Sequence, residues 1–191
     1  MKIFGLTGKT GSGKTTVSAL LAQKGYYIID GDVLARKVTE KGSKTLLELC
    51  EAFGNDIIAP DGSLKRKYLV EKISGMNNGV EILNSITHPA IDALFAEEIA
   101  KAEALGFEVC VFDAAALLES PSKDRCEKII VVTAPEEIRL KRITERDSIT
   151  SRQALQRMSM QKDDEYYFSK ADIIIRNYYP YSLEEEINKI G

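Results

Sequence analysis

The sequence predicts an α/β fold, a five-stranded parallel sheet with helices on both faces, and three observations predict it. Five short, almost wholly apolar runs recur along the chain, at Lys2–Thr7, Tyr26–Ile29, Val109–Asp113, Lys128–Thr133 and Ile173–Ile175. Strands covered on both faces read as such continuous runs, whereas half-exposed strands alternate. Helical patterns separate the runs, and parallel neighbours need crossovers of that kind. The third observation is the stretch Gly8-Lys9-Thr10-Gly11-Ser12-Gly13-Lys14-Thr15, directly after the first run and before a helical pattern containing Val17, Leu20 and Leu21.

That stretch fits Gly-x-x-x-x-Gly-Lys-Ser/Thr, which makes the sheet one of the P-loop NTPase/kinase type. The glycines let the backbone curl until several N–H groups point inward, and the following helix presents its positive dipole end to an anion. On this reading Gly8, Gly11, Ser12, Gly13, Lys14, Thr15 and Thr16 hold the phosphates of ATP. Lys14 meets the β- and γ-phosphates, and the Thr15 hydroxyl ligates Mg²⁺. A dinucleotide site fits less well, because the glycines do not give Gly-x-Gly-x-x-Gly and a closing lysine suits a terminal phosphoryl group.

The 191 residues suffice for a single domain with a sizeable core. The net charge of -3 argues against nucleic acid as the main partner. No run of about 18 apolar residues and no charged-then-apolar leader occurs, so a soluble, cytoplasmic protein with no membrane association is expected. Cys50, Cys110 and Cys126 are odd in number and lack Cys-x-x-Cys spacing, so they read as reduced thiols. With a single histidine in the chain, a zinc site is not expected.

The first helix runs from about Lys14 to Gln23 and stops at Gly25, a C-cap residue. The second strand ends at Asp30-Gly31-Asp32, at a carboxyl end, where open α/β sheets bind ligands. Asp30 reads equally as a helix N-cap, and Asp32 as a first-turn partner of the helix dipole. Two carboxylates beside a phosphate-binding loop favour a functional role for Asp32.

From Val33 to about Gly106 the pattern is helical, with one apolar face at Leu46, Leu47, Leu49, Cys50 and Phe53. Ile82, Leu83 and Ile86 carry a second face, and Ile91, Leu94, Phe95 and Ile99 a third; Asp61-Gly62 marks a turn between the first two. This block, about residues 41–105, is the natural acceptor-binding region. His88 precedes Pro89, which predicts a break there and a helix restarting at the proline. His88 itself reads as a structural residue or as a substrate contact.

Asp113, ending the third run, reads as a Walker-B acid for Mg²⁺ and equally as a strand-end cap. Pro135 and Glu136-Glu137 start a helix on which Arg139, Arg142 and Arg146 share one face. A charged stripe is commonly a solvated surface. After a strand of a phosphate-binding fold, planar guanidinium groups instead point to a nucleotide lid over about residues 139–162. Within it, Thr150-x-x-Gln153 is a capping box opening a helix through Met158 and Gln161, with Arg157 on it and Lys162 beyond. A last amphipathic helix carries Leu183, Ile187 and Ile190 and serves packing. The core of the domain is then about 1–40, 106–138 and 163–191.

Neither Asn-Lys-x-Asp nor Asp-x-x-Gly occurs, so a switch GTPase is disfavoured. A small-molecule kinase needs a carboxylate near the acceptor hydroxyl, a helical acceptor pocket and an arginine lid, and each has a candidate.

Several segments together resemble the dephospho-coenzyme A kinase family. They are Gly5-Leu6-Thr7-Gly8 running into Gly11–Val17, Ile29-Asp30-Gly31-Asp32 with Ala35-Arg36, and Asp61-Gly62-x-Leu64-x-Arg66-x-x-Leu69. Leu83-Asn84-x-Ile86-x-His88-Pro89-x-Ile91 and Leu117-Leu118-Glu119 follow, then Arg142, Arg146, Gln161, and Ala171-Asp172 with Asn177. The resemblance covers nearly the whole chain, and Asp-x-Asp with His-Pro and Leu-Leu-Glu is its most specific part. It implies transfer of the γ-phosphoryl of ATP to the ribose 3′-hydroxyl of dephospho-CoA, the last step of coenzyme A synthesis. It further implies that Asp32 is the general base, with Lys14 and Arg142 also catalytic. Arg36, His88, Leu117, Leu118 and Glu119 would line the dephospho-CoA side, Arg142 and Arg146 would meet phosphates, and Asn177 would lie near the adenine. A monomer or weak homo-oligomer is expected.

The chain departs from the family in having Lys9 for Gly, Ala115 for Pro, Arg139 for Gln, and Tyr178-Tyr179 where a Gly usually follows the Asn. Two other readings remain: another P-loop nucleoside or nucleotide kinase, and a non-catalytic ATP-binding switch protein, which would need no base at Asp32.

Overall fold

In the computed structural model, which describes residues 1–190, β1 (Lys2–Gly8) leads through the glycine loop into α1 (Lys14–Gln23) and β2 (Tyr27–Asp30). Four helices follow: α2 (Gly31–Lys37), α3 (Lys44–Phe53), α4 (Arg66–Ser74) and α5 (Gly79–Ala104). Then come β3 (Val109–Asp113), β4 (Lys128–Thr133), α6 (Glu136–Asp147), α7 (Ser151–Ser159), α8 (Asp164–Phe168), β5 (Ile173–Arg176) and α9 (Leu183–Ile187). The strands form one parallel sheet, as the apolar runs predict, and its strand order is β2-β3-β1-β4-β5. The chain divides into two compact units, Met1–Asp30 with Lys101–Gly191, and Gly31–Ala100.

In the first unit β1 lies mid-sheet, so both its faces are covered, and Phe4 to Gly8 are all buried. One sheet face packs Phe4, Leu6, Val111, Ile130, Val132 and Ile175 against Val17 and Leu21 of α1 and Ile187 of α9. A smaller cluster holds Leu118, Val131 and Tyr167. Asp30 and Asp113 are register partners at the carboxyl ends of β2 and β3. Thr150 and Gln153 form the expected capping box of α7. That helix ends at Ser159, so Gln161 lies beyond it, and α8, which no long apolar pattern announces, begins at an Asp163 N-cap accepting from the Tyr166 N–H at 2.8 Å.

In the second unit Leu49, Phe53, Ile57, Leu69 and Ile73 form the core, with Ile82, Leu83 and Ile86 packed against it. Leu47, expected on the α3 apolar face, is 59% exposed. Leu46, Leu49 and Phe53 recur at three- and four-residue spacing and are buried, and Leu47 falls off that stripe. The break expected at His88-Pro89 does not occur: α5 is continuous through Pro89. Proline removes one hydrogen bond, to the carbonyl of Ser85, and Ser85 and Pro89 are both exposed, so water can satisfy that carbonyl. Among the described residues, no helix is long and apolar enough to cross a membrane.

Candidate functional site

The glycine loop follows β1 as a tight turn, with the Ser12 N–H donating to the Lys9 carbonyl at 3.0 Å. Gly13 is the N-cap of α1 at φ 90°, and a Cβ there would collide with Nδ2 of Asn177. At Gly11, φ is 78° and a Cβ would sit 2.7 Å from the carbonyl oxygen of Arg139, so α6 backbone packs directly on the loop. Only glycine meets both demands at either position. No side chain caps α1, so, apart from the Thr16 N–H, which donates to the Gly13 carbonyl at 3.0 Å, its first-turn N–H groups are left to an anion.

The loop's carbonyls are engaged from outside. Arg142 donates from Nη1 to the carbonyls of Gly11 (3.3 Å) and Ser12 (3.1 Å), and from Nη2 to that of Asn177 (2.9 Å). Asn177, just past β5, donates from Nδ2 to the Ser12 carbonyl at 2.9 Å. With its carbonyls drawn outward, the loop is biased to present its N–H groups inward.

Lys14 is ion-paired through Nζ with Oδ1 of Asp113. Asp113 is 7% exposed, and burial pushes its carboxyl up from the usual range, opposed by Lys14 and reinforced by the charge of Asp30. Two carboxylates on adjacent strand ends beside a lysine make a field that suits a phosphate-bound cation. Magnesium commonly takes one or two protein oxygens and fills its sphere with phosphate and water, so Thr15 and Asp113 fit it. Among the described residues no cluster of three or more His, Cys, Asp or Glu side chains stands ready for a metal. Thr15 and Thr16 are exposed at the start of α1.

The three arginines of α6 do not act alike. Arg139 is 5% exposed, donates from Nε to the Ala134 carbonyl at 3.2 Å, and leaves Nη1 without a partner among the described residues. Arg139 is therefore part of the packing rather than of an exposed stripe. Arg146 is exposed and paired bidentately with Asp147 (2.7 and 2.9 Å), which also accepts from Arg157. Their hydrogen bonds hold the Asp147 carboxyl down at about 2.

In the second unit Asp32 lies exposed in the first turn of α2, directly after β2, and Arg36 lies exposed in its last turn. Arg66, quoted above without a role, donates from Nη2 to the Thr39 hydroxyl at 2.7 Å and to the Arg36 carbonyl at 3.4 Å, securing the end of α2. His88 is half-buried on α5. Back in the first unit, Leu117 and Leu118 are buried in a 3-10 turn whose last residue, Glu119, is exposed. Sequence reasoning missed the contacts that clasp the loop's outer half: Thr10 donates its N–H to Oε1 of Gln161 (2.9 Å), and Lys9 pairs with Asp164 (2.7 Å). The one available signal was the motif position of Gln161.

A family model described as dephospho-CoA kinase matches residues 2–180. The chain belongs to the dephospho-CoA kinase family. The dephospho-CoA kinase of Corynebacterium efficiens is 39% identical over 174 residues, 91% of this chain and 87% of that relative. Among solved structures, TT1252 from Thermus thermophilus is similar with a TM-score of 0.84 and 27% identity, covering 99% of this chain and 93% of that one. The dephospho-CoA kinase from Campylobacter jejuni has a TM-score of 0.64 at 27% identity, covering 100% and 96%. Family membership makes this chain a phosphotransferase built on the P-loop kinase fold.

Proposed function

We propose that this protein transfers the γ-phosphoryl group of ATP to the ribose 3′-hydroxyl of dephospho-CoA, giving coenzyme A and ADP. The observation that carries the reading is an uncapped α1 behind a glycine loop closed by Lys14, in a chain of the dephospho-CoA kinase family. In-line phosphoryl transfer needs positioning and charge neutralisation more than covalent help from the protein. Lys14 and the N–H groups of Gly11, Gly13 and Thr15 hold the β- and γ-phosphates. Arg142 keeps the loop curled and, with Arg146, belongs to a lid formed by α6 and α7. Asn177 borders the adenine. Thr15 and Asp113 would hold Mg²⁺, which would supply neutralisation of phosphate charge.

On the acceptor side, Asp32 takes the proton from the 3′-hydroxyl as that oxygen bonds to phosphorus and the bond to the ADP oxygen breaks. Asp32 lies exposed in the first turn of α2, the position from which a general base can reach a bound acceptor. Arg36, His88, Leu117, Leu118 and Glu119 contact dephospho-CoA. The protein works in the cytoplasm as a monomer or weak homo-oligomer, without nucleic acid.

The test is ADP release with ATP, Mg²⁺ and a panel of hydroxyl acceptors including dephospho-CoA, for wild type and Asp32→Asn. Turnover on dephospho-CoA that falls about 10²- to 10⁴-fold in the variant is expected. Turnover on an unrelated acceptor with none on dephospho-CoA would overturn the reading.

A further inference from the structure

The outer half of the glycine loop is held by groups that the phosphate-binding reading does not use. The Thr10 N–H donates to Oε1 of Gln161, 151 residues away in sequence, at 2.9 Å. Lys9 reaches Oδ1 of Asp164 at 2.7 Å, with the lysine side chain only 14% exposed and the aspartate 58%. Gln161 lies in the connector that leaves α7, and Asp164 is the first residue of α8. The other end of the α6–α7 hairpin also rests on this loop, through Arg142 on the Gly11 and Ser12 carbonyls and through the Arg139 backbone against Gly11. Both ends of the hairpin are thus fastened to the same few residues.

We propose that Lys9 and Gln161 are positioning residues that fasten the far end of the α6–α7 hairpin to the phosphate loop, so that filling the loop with ATP and setting the hairpin are coupled. A nest of converging N–H groups repels itself electrostatically, and its curl must be held from outside if an anion is to find it formed. Arg142 and Asn177 hold the inner half. Gln161 and the Lys9–Asp164 pair hold the outer half, and any shift of the connector moves the loop with it. By linkage, whatever loosens this fastening weakens ATP to the same extent that ATP steadies the hairpin. Lys9 acts through the loop backbone, and its ammonium is already committed to Asp164. The inference rests on reading this loop as the ATP phosphate site and the hairpin as the lid.

The experiment measures binding of a fluorescent ATP analogue and steady-state kinetics for Lys9→Met, Lys9→Arg, Gln161→Ala, Asp164→Asn and the exchange Lys9→Asp with Asp164→Lys. Lys9→Met, Asp164→Asn and Gln161→Ala should each raise Kd and KM for the nucleotide by about three- to fivefold, the size expected of one partly exposed ion pair or hydrogen bond, leaving kcat and the acceptor KM unchanged. Lys9→Arg should behave as wild type, and the charge exchange should recover most of the loss. Unfolding midpoints taken alongside separate this from a general loss of stability. Wild-type nucleotide affinity in Lys9→Met and Asp164→Asn, or an exchange no better than either single variant, overturns the inference while leaving the kinase reading intact. A wild-type protein that binds no ATP would overturn both.

Discussion

The amine of Lys14 is ion-paired with the carboxylate of Asp113, bridging the phosphate loop to the carboxyl end of β3, with side chains 18% and 9% exposed. Each group neutralises the other where neither has full access to water. On the proposed reaction, an incoming triphosphate would draw Lys14 from Asp113, and the carboxylate so released would be able to hold a cation. The pair holds both groups in place beside the loop.

Removing one partner leaves the other buried and alone. Lys14→Ala should cost about 3 kcal/mol of stability, at the low end for a broken buried pair because Asp113, already pushed up by burial, can protonate. Lys14→Ala with Asp113→Asn should regain much of that stability and none of the activity. Urea unfolding and ADP release on the single and double variants check this. Lys14→Ala should also reduce turnover at least as much as Asp32→Asn; an inactive Asp32→Asn beside a normally active Lys14→Ala enzyme would contradict the division of roles.

Asp147 gives a pH dependence with a defined sign. Hydrogen bonds from Arg146, then Arg157, lower its folded pKa from 3.8 to about 2. A depressed carboxylate contributes stability that is present above its unfolded pKa and lost as pH falls through the folded one. The contribution should therefore be complete above about pH 4 and disappear towards pH 2. Thermal unfolding of Asp147→Asn should lie below wild type at pH 7, and the two curves should converge at pH 2. A gap of constant size across that range would exclude the ion pairs as its cause.

The thiols should differ in reactivity. Burial pushes Cys110 up to about 11 and Cys126 up to about 12, so neither offers thiolate at pH 8. Cys50 is half-buried, as Cys126 is, and lies at the edge of the second unit's core. Iodoacetamide on the native protein should modify Cys50 first, and all three cysteines only after unfolding, as mass spectrometry of tryptic peptides would show.

Five strands, the loop and the capping box of α7 were legible because each is written within a few residues: an apolar run, a glycine spacing, a Thr and Gln three apart. Arg139 was misread because spacing puts it on a face with Arg142 and Arg146 but does not say what covers that face. The clasp from Gln161 and Asp164 to Thr10 and Lys9 joins residues more than 150 apart, beyond any local pattern. Asp32, Arg36 and His88 were legible as motif members, and their chemistry depends on a ligand that the pattern of residues alone does not position.

Pro89 was misread for a different reason, and it yields the last prediction. Proline disfavours a helical residue before it and removes a hydrogen bond, so a break at His88 was the local expectation. The helix continues because its two halves are each anchored: Ile82, Leu83 and Ile86 pack on the core of the second unit, and Phe95 and Ala102 are fully buried further along. The proline ring itself sits on the exposed side. Pro89→Ala should therefore restore the bond to the Ser85 carbonyl and stabilise the protein by about 1 to 3 kcal/mol, less the entropy that proline removes from the unfolded chain. If His88 contacts dephospho-CoA through a local distortion that Pro89 maintains, the same variant will raise the acceptor KM while the ATP KM stays put. A more stable protein with unchanged kinetics would make Pro89 a tolerated cost of the helix and would place the role of His88 elsewhere than in that distortion.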